Sequence, residues 1–221
     1  MSQRLAEPDT GNAGWQRDLS VSLEKLGNLA VAHGDLENAR QKYAGALEVS
    51  QRLAESAPGN AGWQRDLSVS LGKLGDLAVA QGDLEDARQK YAGALEVRQR
   101  LSESDPGNAQ WQRDLSVSLN KLGDLAVAQS DLEDARQKYA DALEVRQRLA
   151  ESDPGNAQWQ RDLFVSNFKL ADVLEKQGES ESMRHWHRAH DVLKGMVSRG
   201  LFVSEDDRGF LKVLEGKLKN E

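Results

Sequence analysis

Apolar residues in this chain recur in steps of three and four. Trp15, Leu19, Leu23, Leu26 and Ala30 form one such stripe, and Leu36, Ala39, Tyr43, Leu47 and Leu53 form a second, with Ser50 filling its gap. These steps place side chains on one face of an α-helix. The punctuation between the stripes agrees. Gly34 is suited to end the first helix in a left-handed conformation, and Asp35 to cap the second. Pro58-Gly59 then ends the second helix, and Asn60 is placed to cap the next. Each pattern predicts a helical hairpin whose two helices have about 20 residues and a length of about 30 Å. Glu48/Arg52, Asp86/Lys90 and Glu96/Arg100 add i,i+4 pairs on the exposed faces. No alternation of apolar and polar residues predicts a strand.

The hairpin repeats. Trp15, Trp63, Trp111 and Trp159 lie 48 residues apart, each followed by Gln-Arg-Asp-Leu, and Tyr43, Tyr91 and Tyr139 keep the same period. Residues 60–107 and 108–155 differ only at 62/110, 72/120, 82/130, 93/141 and 102/150, so neighbouring repeats are expected to stack through equivalent interfaces. The recurring tryptophan, on the apolar stripe, is expected to be a packing anchor between hairpins. The predicted organisation is the end of a preceding helix at 1–11, four hairpins at 12–59, 60–107, 108–155 and 156–203, and a capping helix at 204–221. Residues 2–7 match Ser50–Glu55, the end of a second helix. The fourth hairpin has drifted. Asn167 replaces Leu, Ala171 replaces Gly, and Ser182, Trp186 and Ala189 stand for Ala, Tyr and Ala in a second helix one residue shorter. A polar, atypical last repeat is expected where one face meets water. Ser204 with Asp207 resembles a capping box ahead of the apolar side Phe210, Leu211, Leu214 and Leu218.

Composition narrows the function classes. A formal charge of −7 argues against a broad nucleic-acid surface, which needs Lys and Arg facing phosphates. There is no cysteine, hence no disulfide, thiolate nucleophile or thiolate metal site, and a cytoplasmic location is the expectation. No apolar run approaches the length of a membrane span, and the first residues lack the apolar core of a signal peptide.

Candidate chemistry is sparse. His187 and His190 are three residues apart, a spacing that can share a helix face, but no cysteine or second histidine pair completes a metal set. His33 stands where the next repeats have Gln81 and Gln129, at a helix end. No phosphate-binding glycine loop follows a strand. Asp and Glu recur with the repeat beside Arg and Lys, as on a solvated face. No residue set meets the needs of acid–base or nucleophilic catalysis, so no enzyme activity and no cofactor are predicted.

The motif Leu23-x2-Leu26-Gly27-x2-Ala30, then Ala39-x3-Tyr43 and Ala46, returns as Leu71, Leu74, Gly75, Ala78, Ala87, Tyr91 and Ala94, and again as Leu119, Leu122, Gly123, Ala126, Ala135, Tyr139 and Ala142. This pattern resembles the tetratricopeptide repeat, Trp-x2-Leu-Gly-x2-Tyr followed by Ala-x3-Phe, across about residues 12–195. The first aromatic position is Leu here, the second is Ala, and the repeat is about 14 residues longer than the standard, as about two extra turns on each helix would make it. The resemblance implies an all-α, right-handed superhelical solenoid of antiparallel hairpins, whose concave surface is lined by first helices and holds a peptide. Carried onto this sequence, the register points to Glu24, Gly72, Asn120 and Phe168, three residues before the Gly position, and to Asn28, Asp76, Asp124 and Asp172, one residue after it. Family members that grip acidic tails carry Lys, Asn and Arg at such positions, and only Asn28 conforms. The three aspartates instead imply a ligand bearing Lys or Arg, with Phe168 either an apolar anchor or a residue packed under the capping helix.

The primary expectation is therefore a module that binds a peptide or protein segment. Two alternatives stand beside it: a structural unit that self-associates through its first face into a homo-oligomer, and the scaffolding or sensing part of a larger signalling protein.

Overall fold

The computed structural model describes residues 12–219. The helix end expected at 1–11 lies outside them, as do residues 220 and 221. The chain divides into two compact units, residues 1–104 and 105–221. The N-terminal unit holds α1 (Ala13–Ala32), α2 (Leu36–Ser56), α3 (Ala61–Gln81) and α4 (Leu84–Ser104). The C-terminal unit holds α5 (Ala109–Ala128), α6 (Leu132–Ser152), α7 (Ala157–Lys176), α8 (Ser182–Ser198) and α9 (Glu205–Leu218). Odd and even helices pack in hairpins, α1 with α2 and so on to α7 with α8; α2 also packs on α3, α6 on α7 and α8 on α9. There is no strand among the described residues.

The boundaries follow local chemistry. Asn12, Asn60, Asn108 and Asn156 each accept the backbone N–H of the tryptophan three residues on, at 3.1–3.2 Å. Each thereby satisfies a donor that a helix start leaves unpaired. Asp35, Asp83 and Asp131 do the same for the second helices. The turn between them is left-handed: Gly34, Gly82 and Gly178 have φ of 76°, 78° and 74°, and Ser130 takes the same place at 61°. Ser204 caps α9, and Arg161 donates to Asp207 at 2.7 and 3.2 Å.

Each hairpin closes on small residues. An added Cβ at Gly27, Gly75 or Gly123 would overlap the ring of Tyr43, Tyr91 or Tyr139. In the fourth hairpin the pair becomes Ala171 and Trp186, both buried.

Two expectations about the apolar stripes are corrected. Ser20, Gly27 and Ala30 are the buried residues of α1, whereas Trp15, Leu19, Leu26 and Leu29 lie on its exposed side. The same register in α3 is covered: Leu74 and Leu77 are 8% and 3% exposed and pack with Ala39, Tyr43, Leu36 and Leu47 of α2. Leu26 and Leu29 are 49% and 55% exposed. Nor are the repeated tryptophans buried anchors, since Trp15 is exposed and Trp63, Trp111 and Trp159 are only partly covered. The adjacent glutamine ties one hairpin to the next, Gln64 to the Ala54 carbonyl at 3.1 Å and Gln160 to the Ala150 carbonyl at 2.9 Å.

Candidate functional site

The first-helix positions singled out in the sequence split into two structural groups. Those three residues before the Gly position do not form an open ligand-reading row. Glu24 is half-buried and accepts from Ser70 at 2.7 Å; Ser70 in turn shares a hydrogen bond of 3.0 Å with Ser50 of α2. Burial outweighs that hydrogen bond and raises the Glu24 carboxyl above its ordinary value. Gly72 is buried, and the Arg98 guanidinium lies over the place its Cβ would occupy. Asn120 is buried, its amide oxygen accepting from Arg146. Phe168 sits among Phe164, Trp186 and Phe210, with ring centroids 6.0, 5.0 and 5.1 Å away.

Gly72 and Asn120 each meet an arginine of the second helix, Arg98 and Arg146. Arg146 donates through Nε to Ser116 at 3.1 Å and through one terminal nitrogen to Ser166 at 2.9 Å and the Asp162 carbonyl at 3.1 Å. Burial lowers its pKa to about 10, which leaves it charged near neutrality. Arg98 makes the corresponding bond to Ser68 at 3.1 Å. In the fourth hairpin Ser116, Asn120 and Arg146 are replaced in register by Phe164, Phe168 and Leu193, a polar cluster exchanged as a set for an apolar one.

The positions one residue after the Gly are tied to the hairpin core. The hydroxyls of Tyr43, Tyr91 and Tyr139 donate to Asn28, Asp76 and Asp124 at 2.8, 2.7 and 2.6 Å. Burial first, then the bond to Asp124, holds the Tyr139 hydroxyl far above its ordinary pKa. Asp124 also pairs with Lys169 at 2.5 Å, and Asp172 with Lys176 at 2.7 Å. The open row of carboxylates expected from the sequence is thus partly neutralised from within. Trp186 stands in place of the tyrosine near Asp172, so that bond is lost in the fourth hairpin.

One cleft brings two of the candidate positions together. In the N-terminal unit, Asn28, Val31, Tyr43, Lys73, Asp76, Leu77 and Ala80 line a cavity of about 180 Å³. Lys73 occupies the register of Lys169, but the cleft offers it Asn28 where Lys169 finds Asp124. Lys73 has no ion pair among the described residues. Sequence reasoning missed this lysine, although its recurrence as Lys25, Lys73, Lys121 and Lys169 was visible. The histidines do not converge. His185 is buried against Asn167 at 3.1 Å, His190 pairs with Asp191 at 3.1 Å, and no metal-sized group of three ligands occurs among the described residues. No described helix is long and apolar enough to cross a membrane.

Helical hairpins that pack in chain order within each unit, each closed by a small residue under an aromatic ring, define an all-α solenoid class. Two tetratricopeptide repeat models match, at residues 73–133 and 115–154. These matches identify tetratricopeptide repeats within residues 73–154. Its fold is similar to that of BtubC (BKLC) from P. vanneervenii, with a TM-score of 0.66 and 22% identity over 91% of this chain and 70% of that one. It is also similar to the apo form of RapI, with a TM-score of 0.61 and 13% identity over 99% of this chain and 72% of the other. No curated protein sequence matches.

Proposed function

We propose that the chain is a protein-interaction module that binds a peptide or protein segment against its first helices, without chemistry of its own. The observation that carries this reading is the cleft between α1 and α3. Its floor of Val31, Leu77 and Ala80 offers an apolar side chain a place to dock, and Asn28, Lys73 and Asp76 supply hydrogen-bonding groups around it. Concave sites with a few convergent polar groups on an apolar floor are typical of ligand recognition. The tetratricopeptide repeat is typically a non-catalytic interaction module, which supports the same reading. Asp124 and Asp172 already hold lysines, which weakens the expected preference for Lys or Arg in the ligand.

Site-specific photocrosslinking tests it. A photoreactive residue at Val31 or Ala80 is expected to capture a discrete protein, with the same residue at Glu48 as the control. Asp76→Asn and Asp124→Asn should keep the fold, because Asn28 already accepts the Tyr43 hydroxyl. Equal capture at all three positions, or none at Val31 and Ala80, would falsify the cleft as the binding site.

A further inference from the structure

The fourth hairpin closes its open end with an arginine. Arg199, at the end of α8, donates through Nη1 to the Pro154 carbonyl at 2.8 Å, through Nε to the Gly195 carbonyl at 3.0 Å and through Nη2 to Gln160 Oε1 at 3.4 Å. Each acceptor has a reason to be there. The Pro154 carbonyl belongs to the turn that enters α7, and the Gly195 carbonyl lies in the last turn of α8, where a helix end favours a cation. Gln160 commits its amide nitrogen to the Ala150 carbonyl at 2.9 Å, which leaves its oxygen to accept.

The same corner is an open cleft in the two preceding hairpins. In the N-terminal unit, Pro58, Ala61, Gln64, Val97, Leu101 and Ser104 border about 240 Å³. In the C-terminal unit their counterparts, among them Pro106, Gln112 and Ser152, border about 270 Å³. Because α8 is one residue shorter, Arg199 holds the register of Ser104 and Ser152. Those two hydroxyls turn back on their own helices, to the Leu101 and Leu149 carbonyls at 2.7 Å. Gln64 keeps the bond that orients Gln160, its amide nitrogen on the Ala54 carbonyl at 3.1 Å. Arg100 and Arg148 also border the clefts, but they pair with Glu96 and Glu144 at 3.8 and 3.7 Å. Gly195 takes their register beside Arg199. The proline and glutamine that receive Arg199 thus recur in both clefts, without the side chain that fills the fourth corner.

We infer that the corners of the second and third hairpins each take an arginine side chain from a protein partner, in the place that Arg199 fills from within. The guanidinium meets the turn carbonyl of Pro58 or Pro106, the last turn of α4 or α6, and the glutamine oxygen. Its methylene stem rests on Val97 and Leu101, or on Val145 and Leu149. None of these residues lines the α1–α3 cleft, so the site stands apart from the first-helix reading.

The probe is the end-blocked tripeptide Gly-Arg-Gly, titrated into the whole chain and followed by backbone amide shifts in NMR. Saturable shifts are expected at Gly59 and Ala61 and at Gly107 and Ala109, with none at Gly155 and Ala157, where Arg199 already sits. The matched Gly-citrulline-Gly peptide, neutral and of similar shape, is expected to bind about tenfold more weakly, as for loss of a hydrogen bond from a charged donor. Arg199→Ala should open the fourth corner to the probe. Ser104→Arg should fill the second corner from within, abolishing the shifts at Gly59 and Ala61 while those at Gly107 and Ala109 persist. Absence of saturable shifts at both corners overturns the inference. So do shifts at Gly59 and Ala61 that survive Ser104→Arg, and so does equal binding of the citrulline peptide, which marks a general peptide contact and not an arginine site.

Discussion

The hydroxyl of Tyr139 donates to Asp124 at 2.6 Å. A residue of the first-helix face is thereby tied to the aromatic ring that closes the hairpin core. Tyr139→Phe removes that hydrogen bond while keeping the ring over Gly123. The expected loss is about 1–2 kcal/mol, as for a partly buried hydrogen bond to a charged group, read by urea unfolding. A loss below about 0.3 kcal/mol, well under the usual range for such a bond, would show that Lys169 alone satisfies Asp124.

Gly123→Ala places a methyl group into the Tyr139 ring. Overpacking of this kind costs about 1–3 kcal/mol, and the thermal midpoint is expected to fall accordingly. The fourth hairpin pairs Ala171 with Trp186 in place of glycine and tyrosine. A Gly123→Ala protein as stable as the parent would mean that Tyr139 shifts without penalty.

Ser130 holds φ of 61° where the other hairpins use glycine. An L-residue in the left-handed region costs about 1 kcal/mol relative to glycine. Ser130→Gly is therefore expected to stabilise the protein by somewhat less than that, because glycine also loosens the unfolded chain. Denaturant midpoints measure it, and destabilisation would contradict the assignment of strain.

Arg146→Leu deprives Ser116, Ser166 and Asn120 of their buried donor. The expected cost is about 2–4 kcal/mol, with unsatisfied polar groups the main contribution. Adding Ser116→Phe and Asn120→Phe recreates the Phe164, Phe168 and Leu193 set of the fourth hairpin and should recover part of the loss. Strict additivity of the three substitutions would argue against a coupled cluster.

Burial, and then Arg188 and Arg184, depress the pKa of His185 below its ordinary 6.5. The native state thus prefers the neutral ring. Its contribution to stability is present above pH 6.5 and is lost as the pH falls from there toward the depressed native value. Unfolding free energy should decline through this window, and His185→Gln should flatten the decline. An unchanged slope in that variant would assign the pH dependence to other groups.

The sequence by itself determined the helices and their order. Asparagine caps, left-handed turn glycines and three-four apolar steps act within a few residues, and the 48-residue recurrence shows them in several copies. Tertiary structure decided which faces those helices bury. On α1 the stripe read from the sequence divides: Ala30 is buried beside Ser20 and Gly27 against α2, while Trp15, Leu19 and Leu26 are exposed. Partnership across roughly 15 to 50 residues was equally out of reach, since local propensity carries no information on it. Glu24 with Ser70, Asn120 with Arg146 and Lys169 with Asp124 are each ordinary surface residues by composition. A hairpin turn or a neighbouring repeat brings them together, and whether a charge is free or neutralised depends on that approach. Local rules therefore wrote the elements, and long-range packing set the availability of the site.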